Sequence, residues 1–295
     1  MVAGPVLSAG AMTPAAEVVA RVMLVYGWRP LADDASVERW DAWLEKALAL
    51  GLIDGAEVRT SARGHAFSVV CWDHDWAGAD RVGALWRETL SEEACEAAYG
   101  RLAMLRQGRR EALEVGVGLH QSAAGFTPSW HLRGRLDVEL VETFGEAGEA
   151  VASLAEDLGL DEAEEIAVYE DGVEVTFDLG PRAPDQVLDA VLGGLDLPSS
   201  PELSGILQLS TAPMALTVAA REDGRFVRAG MRIGEVTTPA LMQTLWACEV
   251  PRAQDEALAQ LQGALDVAAP DWIEAVFDED EADVIVTCRM TVPTH

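Results

Sequence analysis

The chain has 295 residues, with fifty acidic side chains against twenty-one basic ones and a formal net charge of −29. Such a charge repels nucleic-acid phosphates and anionic lipid heads at long range, which excludes broad surface binding to either. Apolar residues make up 49% of the chain, enough for a sizeable core, and no run of eighteen apolar residues offers a membrane-spanning helix.

Lys46 is the sole lysine, and no Lys or Arg precedes Arg21. A secretory signal needs a basic start, so a cytoplasmic protein is expected. Cys71, Cys95, Cys248 and Cys288 are scattered without a Cys-x-x-Cys pair, which favours buried free thiols over disulfides or a zinc site. The acidic excess also fits a second kind of molecule, an interaction protein of the immunity-protein or antitoxin type that neutralises a basic partner.

Residues 15–28 and 36–50 read as amphipathic helices. In the second, Val37, Trp40, Trp43, Leu44 and Leu48 recur at helical spacing before Gly51. Strands are expected at 57–60 and 65–72, then helices at 80–90 and 92–105, then strands at 112–121 and 130–142. A helix at 146–158 leads to strands at 165–169 and 173–179, turned at Glu170-Asp171-Gly172, a strong hairpin signal. A helix at 184–195 leads to strands at 206–220 and 225–236, turned at Glu222-Asp223-Gly224. Helices at 239–248 and 253–267 precede the last strands, at 272–277 and 283–292. These are five helix-plus-strand-pair units and about ten strands, with no linker long enough to divide them, so residues 1–295 form one domain.

The strands alternate. Val173, Val175, Phe177 and Leu179 oppose Glu174, Thr176 and Asp178; Val284, Val286, Cys288 and Met290 oppose Asp283, Thr287, Arg289 and Thr291. Leu132, Leu136, Val138 and Leu140 oppose Arg133, Arg135, Asp137 and Glu139. One apolar and one polar face per strand describes a half-buried antiparallel sheet. The expected fold class is α+β, a ten-stranded antiparallel sheet with helices on its apolar side. Closure into a barrel would remove its edges and enclose a polar lumen; an open curved sheet or tandem α+β lobes is the alternative.

This element order resembles that of the ABBA-type aromatic and peptide prenyltransferases, whose ten-stranded antiparallel barrel is ringed by helices. Leu158-Gly159-Leu160, the 173–179 strand and Leu195-Asp196-Leu197-Pro198 look like the middle of that family. Gly224-Arg225-Phe226-Val227-Arg228 is similar to its turn-then-arginine stretch, and Val115-Gly116-Val117 with Arg133-Gly134-Arg135 to a strand pair that bears basic residues. The chain departs in having no strand lysines, only three tyrosines, and no strand acid at Ala66-Phe67-Ser68.

The resemblance implies transfer of an isoprenyl group from an allylic diphosphate to an aromatic or peptide acceptor, in the manner of bacterial secondary metabolism. It requires no cofactor, with Mg²⁺ the one metal it would use. Arg228 is the residue it places at the diphosphate. By strand parity Arg133, Arg135, Arg232 and Arg289 join it on the inner face, and guanidinium forks suit phosphate oxygens. Trp72, Trp272 and Phe226 are the candidate shields for an allylic cation, and Glu114, Glu174 and His120 the candidate bases. The competing expectation is that the arginines pair with inward Asp137, Glu139, Glu174 or Asp178, which would leave a barrel that binds a small molecule without catalysis. Asp73-His74-Asp75 and the acidic run 278–283 read as a strand end and a solvated turn rather than metal sites.

Overall fold

The computed structural model describes residues 53–61, 64–73, 80, 92, 96, 100, 103, 114–122, 125–169, 171–180, 184–195, 197, 214–234, 237, 239, 243, 246, 271–278 and 283–291. Their ten strands are β1 (Ile53–Ser61), β2 (Gly64–Asp73), β3 (Glu114–Ser122), β4 (Gly125–Asp137), β5 (Glu162–Tyr169), β6 (Gly172–Asp178), β7 (Met214–Arg221), β8 (Phe226–Gly234), β9 (Trp272–Asp278) and β10 (Asp283–Thr291). Each is antiparallel to both neighbours, and β1 pairs with β10 as well as with β2. By hydrogen-bond order the sheet is a closed barrel, β1-β10-β9-β8-β7-β6-β5-β4-β3-β2.

Alternation sorts the side chains. Leu132, Leu136, Ile166, Val175, Phe177, Leu216, Val218, Met231 and Ile233 are buried on one face, and cross-strand pairs such as Ile166 with Val175 and Phe177 with Leu216 keep them in rows. Each such side chain contributes about 1.5–3 kcal/mol when removed from water. Helix α2 (Gly145–Leu158) covers this face over β6 and β7 with Ala147, Gly148, Val151, Ala152 and Ala155. It stops where Gly159 turns left-handed and Leu160 N–H donates to Ala155 O at 2.8 Å, the six-to-one bond of a Schellman cap. Helix α3 (Pro184–Gly194) lies over β8 and buries Leu188, Val191 and Leu192.

One strand is shorter than its alternation suggests. Residues 130–142 read as strand, yet β4 ends at Asp137, whose carboxylate accepts the Glu139 N–H at 3.1 Å and caps a helical turn, α1 (Val138–Val141). Leu140 and Val141 are buried from that turn rather than from a strand. Asp137 and Glu139 are therefore not inward partners for arginines. Capping explains the change: an Asp side chain satisfies a helix-start N–H that alternation cannot register.

The expected helices at 15–28, 36–50 and 253–267 lie outside the described residues, as does the stretch 206–213. Asp80, Glu92, Glu96, Gly100, Ala103, Pro239, Gln243 and Trp246 are helical, within the segments 80–90, 92–105 and 239–248. Among the described residues no helix is long and apolar enough to cross a membrane.

Gly148 is where α2 comes closest to the turn before it. A Cβ there would sit 1.9 Å from the Val141 carbonyl oxygen, so neither backbone can yield without moving the helix. Gly148→Ala is expected to cost about 1–3 kcal/mol, the usual range for overpacking, measured as a lower urea midpoint with an unchanged slope.

Candidate functional site

The polar face is built from residues that alternate with the apolar rows. β4 contributes Ser129, His131 and Arg133; these pair in register with Tyr169, Ala167 and Glu165 of β5. Thr176 of β6 lies beside Glu165 and Thr217 of β7 beside Thr176. Arg228 and Arg232 of β8 stand in register with Ala219 and Ala215, and Glu274 of β9 with Arg232.

Glu165 is the centre. One of its oxygens is 3.3 Å from His131 Nδ1, and the other accepts from Arg133 and from Arg232, each at 3.2 Å. Arg232 also donates through Nε to Glu274 at 3.1 Å, and its guanidinium lies 4.1 Å from the centroid of the Trp272 ring. Glu274 accepts from the Thr217 hydroxyl at 2.5 Å, which is 3.2 Å from the Thr176 hydroxyl. Arg228 donates to Glu174 at 2.6 Å. Arg133 is 3.6 Å from Glu114 at the more open end of the cluster.

The two central carboxyls are pushed in opposite directions. Burial would raise Glu165, but Arg232, the His131 hydrogen bond and Arg133 overcome it and hold its carboxyl well below the usual range. Burial also acts on Glu274; Arg232 draws it down, Glu174 and Glu165 push it up, and the outcome is a raised carboxyl. One guanidinium serves both anions, and the one with a second arginine and an imidazole takes the larger share.

Ser129 Oγ is 2.8 Å from His131 Nε2, which extends the chain to Ser129–His131–Glu165. That order of groups resembles a nucleophilic triad. Ser129 is 0% exposed and His131 3%, so no acyl carbon reaches the hydroxyl, and the chain acts as a buried strut that orients Glu165.

The residues singled out from the sequence divide. Arg133, Arg228, Arg232, Trp272, Glu114 and Glu174 share the polar face, and register puts Arg289 beside Trp272. The side chains of Trp72 and His120 lie outside the described set; their backbones pair with Gly116 and with Ser68 and Thr127. Arg135 is a correction. The β4–β5 register shifts between Arg133 and Leu136, and Gly134 adopts φ 141°. That bulge turns Arg135 outward to Glu162, leaving its side chain 85% exposed. Phe226 is a second correction. A register shift at Ala219/Ala220 pairs it with Ala220, in the apolar row, and away from the Arg228 face.

Arginines were expected to find acidic partners, and Arg228 does so at Glu174. The other partners, Glu165 and Glu274, were not foreseen, nor were His131 and Thr217. Parity held a signal for two of them: His131 lies two residues before Arg133, and Glu274 two after Trp272. Among the described residues no group of three or more potential ligands could hold a metal ion.

No family model and no curated protein sequence matches the chain. Its fold does match solved structures. A structure of the prenyltransferase NotF covers 94% of this chain and 93% of its own, with a TM-score of 0.65 at 10% identity. AnaPT from Neosartorya fischeri gives 0.59 at 9% identity, covering 93% and 91%. The prenyltransferase PriB, in a ternary complex with L-tryptophan and dimethylallyl thiolodiphosphate, gives 0.55 at 11% identity, covering 94% of each chain. The chain therefore carries the ABBA-type prenyltransferase fold.

Opposite effects on stability are expected at the two central carboxyls. Glu165 titrates below its unfolded value of about 4.3, so its contribution is full above that pH and is lost as pH falls through the folded value. Glu165→Gln removes the carboxylate that Arg133 and Arg232 share and leaves excess positive charge in a buried network, so it should cost about 3–5 kcal/mol at pH 7, read by urea unfolding. Glu274 titrates above its unfolded value, so its contribution is full below about 4.3 and is lost as pH rises through the folded value. Glu274→Gln should therefore melt higher than the parent at pH 8, with the difference closing or reversing near pH 4.

Proposed function

We propose that this protein transfers an isoprenyl group from an allylic diphosphate to an aromatic or peptide acceptor within the barrel lumen. The observation that carries the reading is the Arg232–Trp272 stack on the polar face, flanked by Arg133 and Arg228, in a fold shared with three prenyltransferases. Prenyl transfer needs cations for the departing diphosphate and a π-face for the allylic cation, and this face supplies both. A guanidinium already rests on the Trp272 ring, which marks that ring as a surface where positive charge is stabilised.

The chemistry runs as an electrophilic substitution. The allylic C–O bond breaks and its electrons leave with the diphosphate, held by Arg133, Arg228, Arg232 and, by register, Arg289. The acceptor's ring carbon forms the new C–C bond, and the ring proton passes to a carboxylate. Glu114 suits that last step best of the residues considered. Its side chain is 42% exposed and stands off from Arg133 at 3.6 Å, whereas Glu174 is tied to Arg228 at 2.6 Å.

The matched charges support a second reading, a barrel that binds a small molecule without catalysis. Arg133, Arg228 and Arg232 face Glu114, Glu165, Glu174 and Glu274, so an incoming anion must displace carboxylates to reach the arginines. Thermal melting with dimethylallyl, geranyl and farnesyl diphosphate separates the possibilities. Ligand at a hundred times Kd stabilises by about 2.7 kcal/mol, and Arg232→Ala should abolish most of that shift. Stabilisation together with prenylated product from an aromatic panel supports transfer. Stabilisation without product supports the binding barrel, and silence with all three diphosphates overturns transfer and, for the binding barrel, excludes prenyl diphosphates as its ligand.

A further inference from the structure

Arg232 is shared by two carboxylates that are not equivalent. Glu165 keeps Arg133 and His131 if Arg232 turns away. Among the described residues Glu274 does not have that reserve: the contacts that hold it are Arg232 Nε and the Thr217 hydroxyl. The groups around Glu274 are Arg232 from β8, Glu174 from β6, Glu165 from β5 and Thr217 from β7, with Thr287 of β10 at its register position. Two of those neighbours are anions.

An anion that engages Arg232 therefore adds a third negative charge beside Glu274 and removes its cation. Burial weakens the screening of such a like-charge contact, so it strongly disfavours the ionised carboxyl. A proton on Glu274 relieves it. The hydroxyls beside Glu274 are arranged for that change. In the Thr176–Thr217 contact either oxygen can be the donor, so Thr217 can donate to an ionised Glu274, or accept from a protonated one and turn its own hydrogen to Thr176. In either state the Thr217 hydrogen has an acceptor, Glu274 in the first and Thr176 in the second.

We propose that Glu274 is a proton-linked gate for anions: a phosphate or diphosphate group displaces it from Arg232, and Glu274 takes up one proton from solvent as the anion binds. The inference rests on the reading that the inner arginines hold a diphosphate, and it adds what that binding requires. The one bond formed is the O–H of the Glu274 carboxylic acid, its proton coming from solvent, and it offsets one of the negative charges that the ligand brings. The raised carboxyl of Glu274 agrees with a group that gains a proton readily.

Calorimetric titration of the full-length protein with inorganic pyrophosphate tests this, run at several pH values in buffers of different ionisation enthalpy. Pyrophosphate's own protonation cancels when the parent is compared with Glu274→Gln. The parent should take up as much as one proton more than the variant. Its Kd relative to the variant's should rise by up to tenfold per pH unit above the Glu274 pKa. Equal proton counts and parallel pH profiles overturn the gate while leaving the diphosphate reading intact. Absence of pyrophosphate binding to either protein at any pH overturns both.

Thr217→Ala gives an independent check. Losing the donor that favours the ionised carboxyl raises Glu274 further, so across the pH range in which Glu274 titrates this variant should take up fewer protons than the parent and bind pyrophosphate more tightly. A proton count equal to the parent's would contradict the gate.

Discussion

A buried carboxylate with three donors organises the polar interior of this barrel. Glu165 lies on β5, and its oxygens draw in His131 and Arg133 from β4 and Arg232 from β8. Taking any one of those groups out of water is costly, and the cost is recovered only because the others are held in place by the ladder. Strands distant in sequence are thereby tied through their side chains as well as through their backbones. The imbalance at Glu274, which shares Arg232 but has no second arginine in contact among the described residues, follows from the same arrangement.

Register controls which charges enter that interior. A strand sends alternate side chains to opposite faces, so one extra residue reverses everything beyond it. The bulge at Gly134 sends Arg133 inward and Arg135 outward, although the two have the same parity. The shift at Ala219/Ala220 likewise separates Phe226 from Arg228. Both departures change the site rather than the fold. The apolar face tolerates them because α1 and α2 continue the burial where the strand pattern stops.

The fold is shared with prenyltransferases, but a fold hosts many chemistries and function resides in the site. Here the site is charge-matched. Among the described residues the inner cations that contact carboxylates include Arg133, Arg228 and Arg232, whose guanidiniums are directional donors with a permanent charge. Any anion that reached these arginines would compete with built-in carboxylates.

Much of this was legible in the residues themselves. Alternation in 173–179 and 283–292, the Asp-Gly turns, and the order of helices and strand pairs fix the α+β class and the division into apolar and polar faces, because those depend on local periodicity and on water. Arg228, Arg232 and Trp272 could be assigned to one face for the same reason. Which carboxylate each arginine meets could not be read. Glu165 and Arg232 are 67 residues apart, and their meeting depends on the pairing of β4 through β9 and on where bulges reset the count. Electrostatic partnership is a property of distance in space, falling off within a few ångströms of burial, and only the assembled barrel sets those distances.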